Sequence, residues 1–249
     1  MNNKRLGLID YNKFGSKIKI IKYNHSEDVD IYFEEYDWVA KNVRYDYFKN
    51  KTIACPYEPR LYNVGCIGEG KYCYAKDKKC YAMWSKMLER CYSERYQNKK
   101  PTYKGCEVCE EWHNFQNFAK WYYENYYEIK DEEMHLDKDI LCKGNKIYSP
   151  QTCIIVPERI NSLFTNSHNV RGELPIGCTF DNDRIRVRCC TIDKRLTLGH
   201  FPLNRPFQAF TCYKNFKEKY VKEVADEYKD LIPIELYNAM YEWRVDIND

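Results

Sequence analysis

A chain of 249 residues with 24 tyrosines, 11 phenylalanines and 31% charged residues has room for one large domain or two to three small ones, and its aromatic content excludes a disordered protein. The formal net charge of +3 conceals alternating blocks. Ten Lys/Arg face three acids over 71–104, three face ten over 105–139, eleven face five over 170–222, and two face eight over 223–249, so basic faces are expected on a nearly neutral protein. No apolar run approaches the ~20 residues that cross a bilayer, and the opening MNNKRLGLIDYNKFG lacks the apolar segment of a secretory signal. The expectation is therefore a cytoplasmic, reducing compartment and no membrane partner. Thirteen cysteines in that compartment read mostly as small buried apolar side chains rather than a disulfide framework.

In chain order, KIKIIKY (17–23) and DVDIYF (28–33) alternate as strands around the polar turn NHSE and predict a hairpin. CPYEPRLYNVG (55–65) predicts a linker. Trp84, Met87, Leu88 and Cys91 at helical spacing predict an amphipathic helix over 81–96. A second helix is expected late in CEVCEEWHNFQNFAKWYYENYY, with Phe115, Phe118, Tyr122 and Tyr126 on one face. A short helix is expected in VPERINSLFTN, with Pro157 near its first turn. The run IGCTFD, RIRVRCCTI, RLTLGHF predicts three strands with a turn at Asp193-Lys194. A long helix over about 205–229 follows, with Asn204 as N-cap and Pro206 in its first turn.

The second of those strands carries the clearest physical pattern. Arg184, Arg186 and Arg188 alternate with Ile185, Val187 and Cys189, so the guanidiniums share one face, neighbours ~7 Å apart, and the apolar side chains share the other. Such a face suits phosphate contacts and bidentate reading of guanine, or is simply a solvated strand face. Ile176-Gly177, Arg184 to Arg188, Lys194-Arg195 and Leu198-Gly199-His200-Phe201, in that order, resemble the plant ethylene-response-factor (APETALA-type) DNA-binding domain. The resemblance implies three antiparallel strands packed on a helix, with Arg184, Arg186, Arg188, Lys194 and Arg195 reading double-stranded DNA.

Cys106-x-x-Cys109 has the spacing of half a zinc site, with Cys91 and Cys153 as candidate partners for a structural Zn2+, or is a pair of core thiols. The marks Trp84, Arg90-Cys91-Tyr92, Tyr103, Cys106, Cys109, Trp112, Phe115 and Phe118 lead to Leu136-Asp137-Lys138-Asp139. Asn145 and Tyr148-Ser149-Pro150-Gln151-Thr152-Cys153 follow. Together they resemble phage and prophage proteins related to HNH endonucleases. That resemblance implies a ββα unit holding one Mg2+ or Mn2+ for phosphodiester hydrolysis. It points to His135, Asp137 and Asn145 as catalytic residues and to Asp137 and Asp139 as ligands of the catalytic cation. The chain departs from the common HNH pattern at Lys138, where the base histidine stands, and at Thr152, taken as the last position of the motif.

The expected fold is α+β and multidomain. It comprises a small N-terminal β unit (1–64), a central HNH-like ββα-metal module with flanking helices (65–169), and a three-stranded antiparallel sheet packed on a helix with a helical extension (170–249). The expected function is that of a phage- or prophage-encoded, homing-like DNA endonuclease in a bacterial cell. The alternatives are a catalytically inactive, sequence-specific DNA-binding or regulatory protein, which Lys138 and Thr152 favour, and a zinc-stabilised protein-interaction module.

Overall fold

The computed structural model describes residues 4–164 and 173–247. The protein is a mixed α+β molecule with several small sheets. Its contacts divide into two compact units, Met1–Glu124 and Asn125–Asp249, a division that falls inside the 65–169 segment. The boundary expected at 169/170 lies outside the described residues.

In the first unit, β1 (Ile9–Tyr11), β2 (Lys17–His25), β3 (Asp28–Phe33) and β4 (Trp38–Val43) form an antiparallel meander in chain order. Strand alternation sends Ile18, Ile20, Val29, Ile31 and Phe33 to one fully buried face, where Phe48 of the short helix α1 (Tyr45–Lys49) joins them. The segment expected as a linker is instead packed. Glu58 is buried and accepts hydrogen bonds from the Asn12 amide, the Ser16 hydroxyl and the Cys55 N–H. Gly65 lies so close to Trp84 and Leu88 that a Cβ there would fall 2.5 Å from the Leu88 side chain. Its prolines and glycine mark bends in a folded connection.

The helix predicted over 81–96 is two helices, α2 (Lys78–Tyr92) and α3 (Glu94–Lys99). Ser93 separates them because its extended backbone and its hydroxyl, which accepts from the Tyr96 N–H, make it an N-cap. The predicted apolar face of α2 is correct: Trp84, Met87, Leu88 and Cys91 are buried. Beyond the two-residue strand β5 (Glu107–Val108), α4 (Phe115–Asn125) buries Phe115, Phe118 and Tyr122 and ends before Tyr126. Trp84 donates its indole N–H to the Trp112 carbonyl at 2.7 Å and stacks obliquely on Phe115.

In the second unit, β6 (Met134–Asp137) pairs antiparallel with β8 (Ile154–Pro157), and α5 (Glu158–Leu163) follows at once. Between the strands, residues 138–153 form a long connection that includes the two-residue strand β7 (Ile147–Tyr148). β9 (Cys178–Asp181), β10 (Arg184–Cys190) and β11 (Arg195–Pro202) form an antiparallel sheet with β10 central. The 22-residue helix α6 (Pro206–Glu227) and α7 (Ile234–Glu242) complete the unit. Pro206 occupies the first position of α6, so the cap position falls on Arg205 and not on the predicted Asn204.

Helix α6 serves two cores. Near its start, Ala209, Phe210 and Tyr213 pack with Cys178, Ile185, Val187 and Cys189 of the sheet. Near its end, Val221, Val224, Ala225 and Tyr228 pack with Ile154, Val156, Ile160 and Leu163 of β8 and α5, and with Leu236 and Met240 of α7. At ~1.5 Å per residue, the helix spans roughly 33 Å and ties the three-stranded sheet to the ββα unit.

Candidate functional site

The β6–β8–α5 unit gathers polar side chains on one side of the hairpin. Alternation along β6 buries Met134 and Leu136 and leaves His135 and Asp137 half-buried, so the shared face expected for these two residues is present. Beyond that their surroundings differ.

His135 is turned towards the helix. Its Nδ1 lies 3.3 Å from the Asn161 side-chain amide of α5, and its Nε2 lies 3.5 Å from a carboxylate oxygen of Glu133. The Glu158 N–H donates to the Glu133 carbonyl at 2.8 Å, which fixes the start of α5 against the start of β6. One ligand atom each from Glu133, His135 and Glu158 lies within 4.8 Å of the other two. Among the described residues this is the one such group of His, Cys and carboxylate donors. The spacing suits a bound cation.

Asp137 works on the loop. Its Oδ1 accepts the N–H groups of Asp139 and Ile140, each at 2.8 Å, which turns the chain out of β6. Burial and the neighbouring Asp139 charge push its carboxyl up to about 6. Lys138 is buried, and its ammonium donates to the Asn145 carbonyl at 2.9 Å and to Asp139 at 3.1 Å. The Asn145 amide donates to the carbonyls of Lys138 and Ile147 and accepts the Ile147 N–H. Asp137, Lys138, Asp139 and Asn145 thus shape the 138–153 loop, and Asp137 and Asp139 lie outside the three-donor group.

Thr152, taken from the sequence as the helix-entry position, precedes β8 and donates its hydroxyl to the Ile147 carbonyl. The polar residues that face the hairpin from the helix are Glu158 and Asn161. Sequence reasoning missed Glu133, Glu158 and Asn161. The available signal was position: Glu133 lies two residues before His135, and Glu158 and Asn161 flank one turn of the predicted VPERINSLFTN helix.

The cysteines proposed for zinc do not enter that group. Cys106 is buried with its thiol 4.0 Å from the Thr102 carbonyl, and burial raises the pKa of the half-buried Cys109. Cys91 and Cys153 are also buried. Strand β5 between Cys106 and Cys109 is held by protein groups: the Tyr92 hydroxyl accepts the Val108 N–H at 3.1 Å, and the His113 ring lies 3.0 Å from the Val108 carbonyl. Elsewhere buried thiols behave as apolar core, with burial pushing Cys80 up to about 12 and Cys55 and Cys178 to about 11.

The outer face of the β9–β11 sheet has the expected alternation. Ile185, Val187 and Cys189 are buried, Arg186 and Arg188 are half-buried, and Arg184 is exposed. Across β10, Arg186 sits opposite His200 on β11 and Thr179 on β9, and Arg188 sits opposite Thr197 beyond a bulge. The face is not purely cationic. Asp181 Oδ2 lies 3.4 Å from both the Arg186 guanidinium and the His200 ring, and the Arg186 Nε is buried without a hydrogen-bond partner. Arg184 contacts Asp183 only loosely, at 3.9 Å. Lys194 stands exposed in a turn closed by Thr191, and Arg195 donates to the Cys190 sulfur at 3.4 Å.

No helix among the described residues is long and apolar enough to cross a membrane. Comparisons with protein-family models, curated proteins and solved structures find no match to this chain.

Proposed function

We propose that the second unit binds double-stranded DNA on the outer face of the β9–β11 sheet and hydrolyses its phosphodiester bonds at the β6–β8–α5 unit, in the manner of HNH-type, homing-like endonucleases. The observation that carries this reading is the order strand, antiparallel strand, helix, with His135 of β6 held against Asn161 of α5. A fixed imidazole beside carboxylates can serve phosphodiester hydrolysis either by taking a proton from water or by helping to hold a metal ion. A divalent cation, Mg2+ or Mn2+, would screen the charge that develops on the scissile phosphate. Asp137 and Asn145 hold the 138–153 loop beside the hairpin, and Arg184, Arg188, Lys194 and Arg195 offer positive charge to the DNA backbone.

The full chain is to be incubated with supercoiled plasmid and with the DNA around its own gene, in Mg2+, Mn2+ or EDTA. The expected result is cleavage with metal, none in EDTA and none for His135→Ala. Full activity in His135→Ala would remove the hairpin from the chemistry.

A second reading is a catalytically inactive DNA-binding protein. The engagement of Asp137 and Asn145 with loop backbone favours it. DNA binding without cleavage in either metal would establish it.

A further inference from the structure

We propose that Glu133, His135 and Glu158 form a binding site for one divalent transition-metal ion, with His135 a ligand through Nε2 rather than the general base. The donors come from three places that the fold holds together. Glu133 enters β6, His135 lies on it paired with Val156 of β8, and Glu158 opens α5. Their ligand atoms lie within 4.8 Å of one another, close enough for small side-chain adjustments to bring all three to the ~2.0–2.2 Å of imidazole and carboxylate ligands.

Two further features favour an ion over a solvated surface cluster. The first is the ring orientation. Asn161 stands at Nδ1 while Nε2 points at Glu133. As placed, the Asn161 amide nitrogen faces Nδ1; turning the amide by 180° sets its oxygen there to accept an Nδ1–H, and that tautomer frees the Nε2 lone pair for a metal. A ring nitrogen held by an outer partner is the usual support of a histidine ligand. The second is charge. Among the described residues no lysine or arginine pairs with Glu133 or Glu158, and Arg159, beside Glu158 in sequence, pairs with Glu132 and Asp193. A divalent cation would neutralise the two carboxylates.

The donor chemistry also sets the class of ion. One imidazole with two carboxylates suits Mn2+, Fe2+, Co2+ or Zn2+ better than Mg2+ or Ca2+, which favour all-oxygen surroundings. Binding of the ion stands apart from the nuclease reading, and only its part in cleavage rests on that reading.

Mn2+ is the probe. Titrated into the full chain and followed by electron paramagnetic resonance of the free ion, it should bind once per chain, with Mg2+ a weak competitor. Pulsed measurements on the bound ion should show a nitrogen coupling that disappears in His135→Ala. Glu133→Gln combined with Glu158→Gln exchanges exposed groups, so circular dichroism should be unchanged while affinity falls about tenfold or more. No stoichiometric binding by the folded chain overturns the proposal. So does binding that survives the glutamate changes, or that is lost instead on combining Asp137→Asn with Asp139→Asn. Stoichiometric Mn2+ binding without DNA cleavage would sink the nuclease reading alone.

Discussion

The Asp137 carboxylate accepts the Asp139 and Ile140 N–H groups where the chain leaves β6. Its raised carboxyl carries a pH signature. A folded-state pKa of about 6 exceeds the ordinary value near 3.8, so the folded state holds the proton more tightly than the unfolded chain. The cost of ionising it is absent below about pH 4, grows between pH 4 and 6, and is constant above. Asp137→Asn keeps the oxygen that accepts the two N–H groups and removes that cost. Denaturant unfolding should show the variant nearly equal to the parent at pH 3 and more stable at pH 7, by up to about 3 kcal/mol. Equal stability at both values would mean that the carboxylate is already well solvated. Lys217 of α6 offers a parallel case. It is buried, and desolvation lowers its pKa. Lys217→Met conserves volume and removes a buried charge, so its thermal unfolding midpoint should rise at pH 7.

At the scale of elements, β10 is where local pattern and packing agree. Period-two alternation placed three arginines on one face and Ile185, Val187 and Cys189 on the other, and the helix that covers the apolar face follows one strand later in the chain. Ile185→Ala should cost about 3 kcal/mol as a buried aliphatic truncation, whereas Arg184→Ala should stay within about 0.5 kcal/mol. Gly177 guards the same interface. Its φ of 79° and the Tyr213 ring, 2.1 Å from where a Cβ would stand, leave no room for a side chain, so Gly177→Ala should destabilise the fold in the same denaturation assay. What β10 alone did not disclose is Asp181. It lies on the neighbouring strand and reaches both Arg186 and His200, so the arginine face is partly neutralised by a residue five positions from the centre of the stripe.

For the whole molecule, charge is the property that DNA binding would report. The four cations offered to the backbone, Arg184, Arg188, Lys194 and Arg195, predict a log–log dependence of affinity on salt with a slope of about −4. Replacing Arg184 and Arg188 together by alanine should weaken binding and reduce the slope by about 2. Unchanged affinity or slope would move the interface away from this face. Helix α6 adds a mechanical link, because the sheet at its start and the β8–α5 layer near its end share one rigid element.

The sequence by itself determined the elements whose signal is local. These are the β2–β3 hairpin, the buried face of α2, the alternating β10 and the α+β class, because each depends on side chains two to four residues apart. It determined less where neighbours in space are distant in the chain. The break at Ser93 turned on one cap, and the proline-rich 55–65 segment became packed once Glu58 met Asn12 and Ser16. The candidate metal group shows the limit most clearly. His135 and Asp137 share a strand face, as alternation requires, yet the partners of His135 are Glu133, Glu158 and Asn161. Only the pairing of β6 with β8 carries α5 back across some twenty residues to the start of β6, and that registry is a tertiary fact.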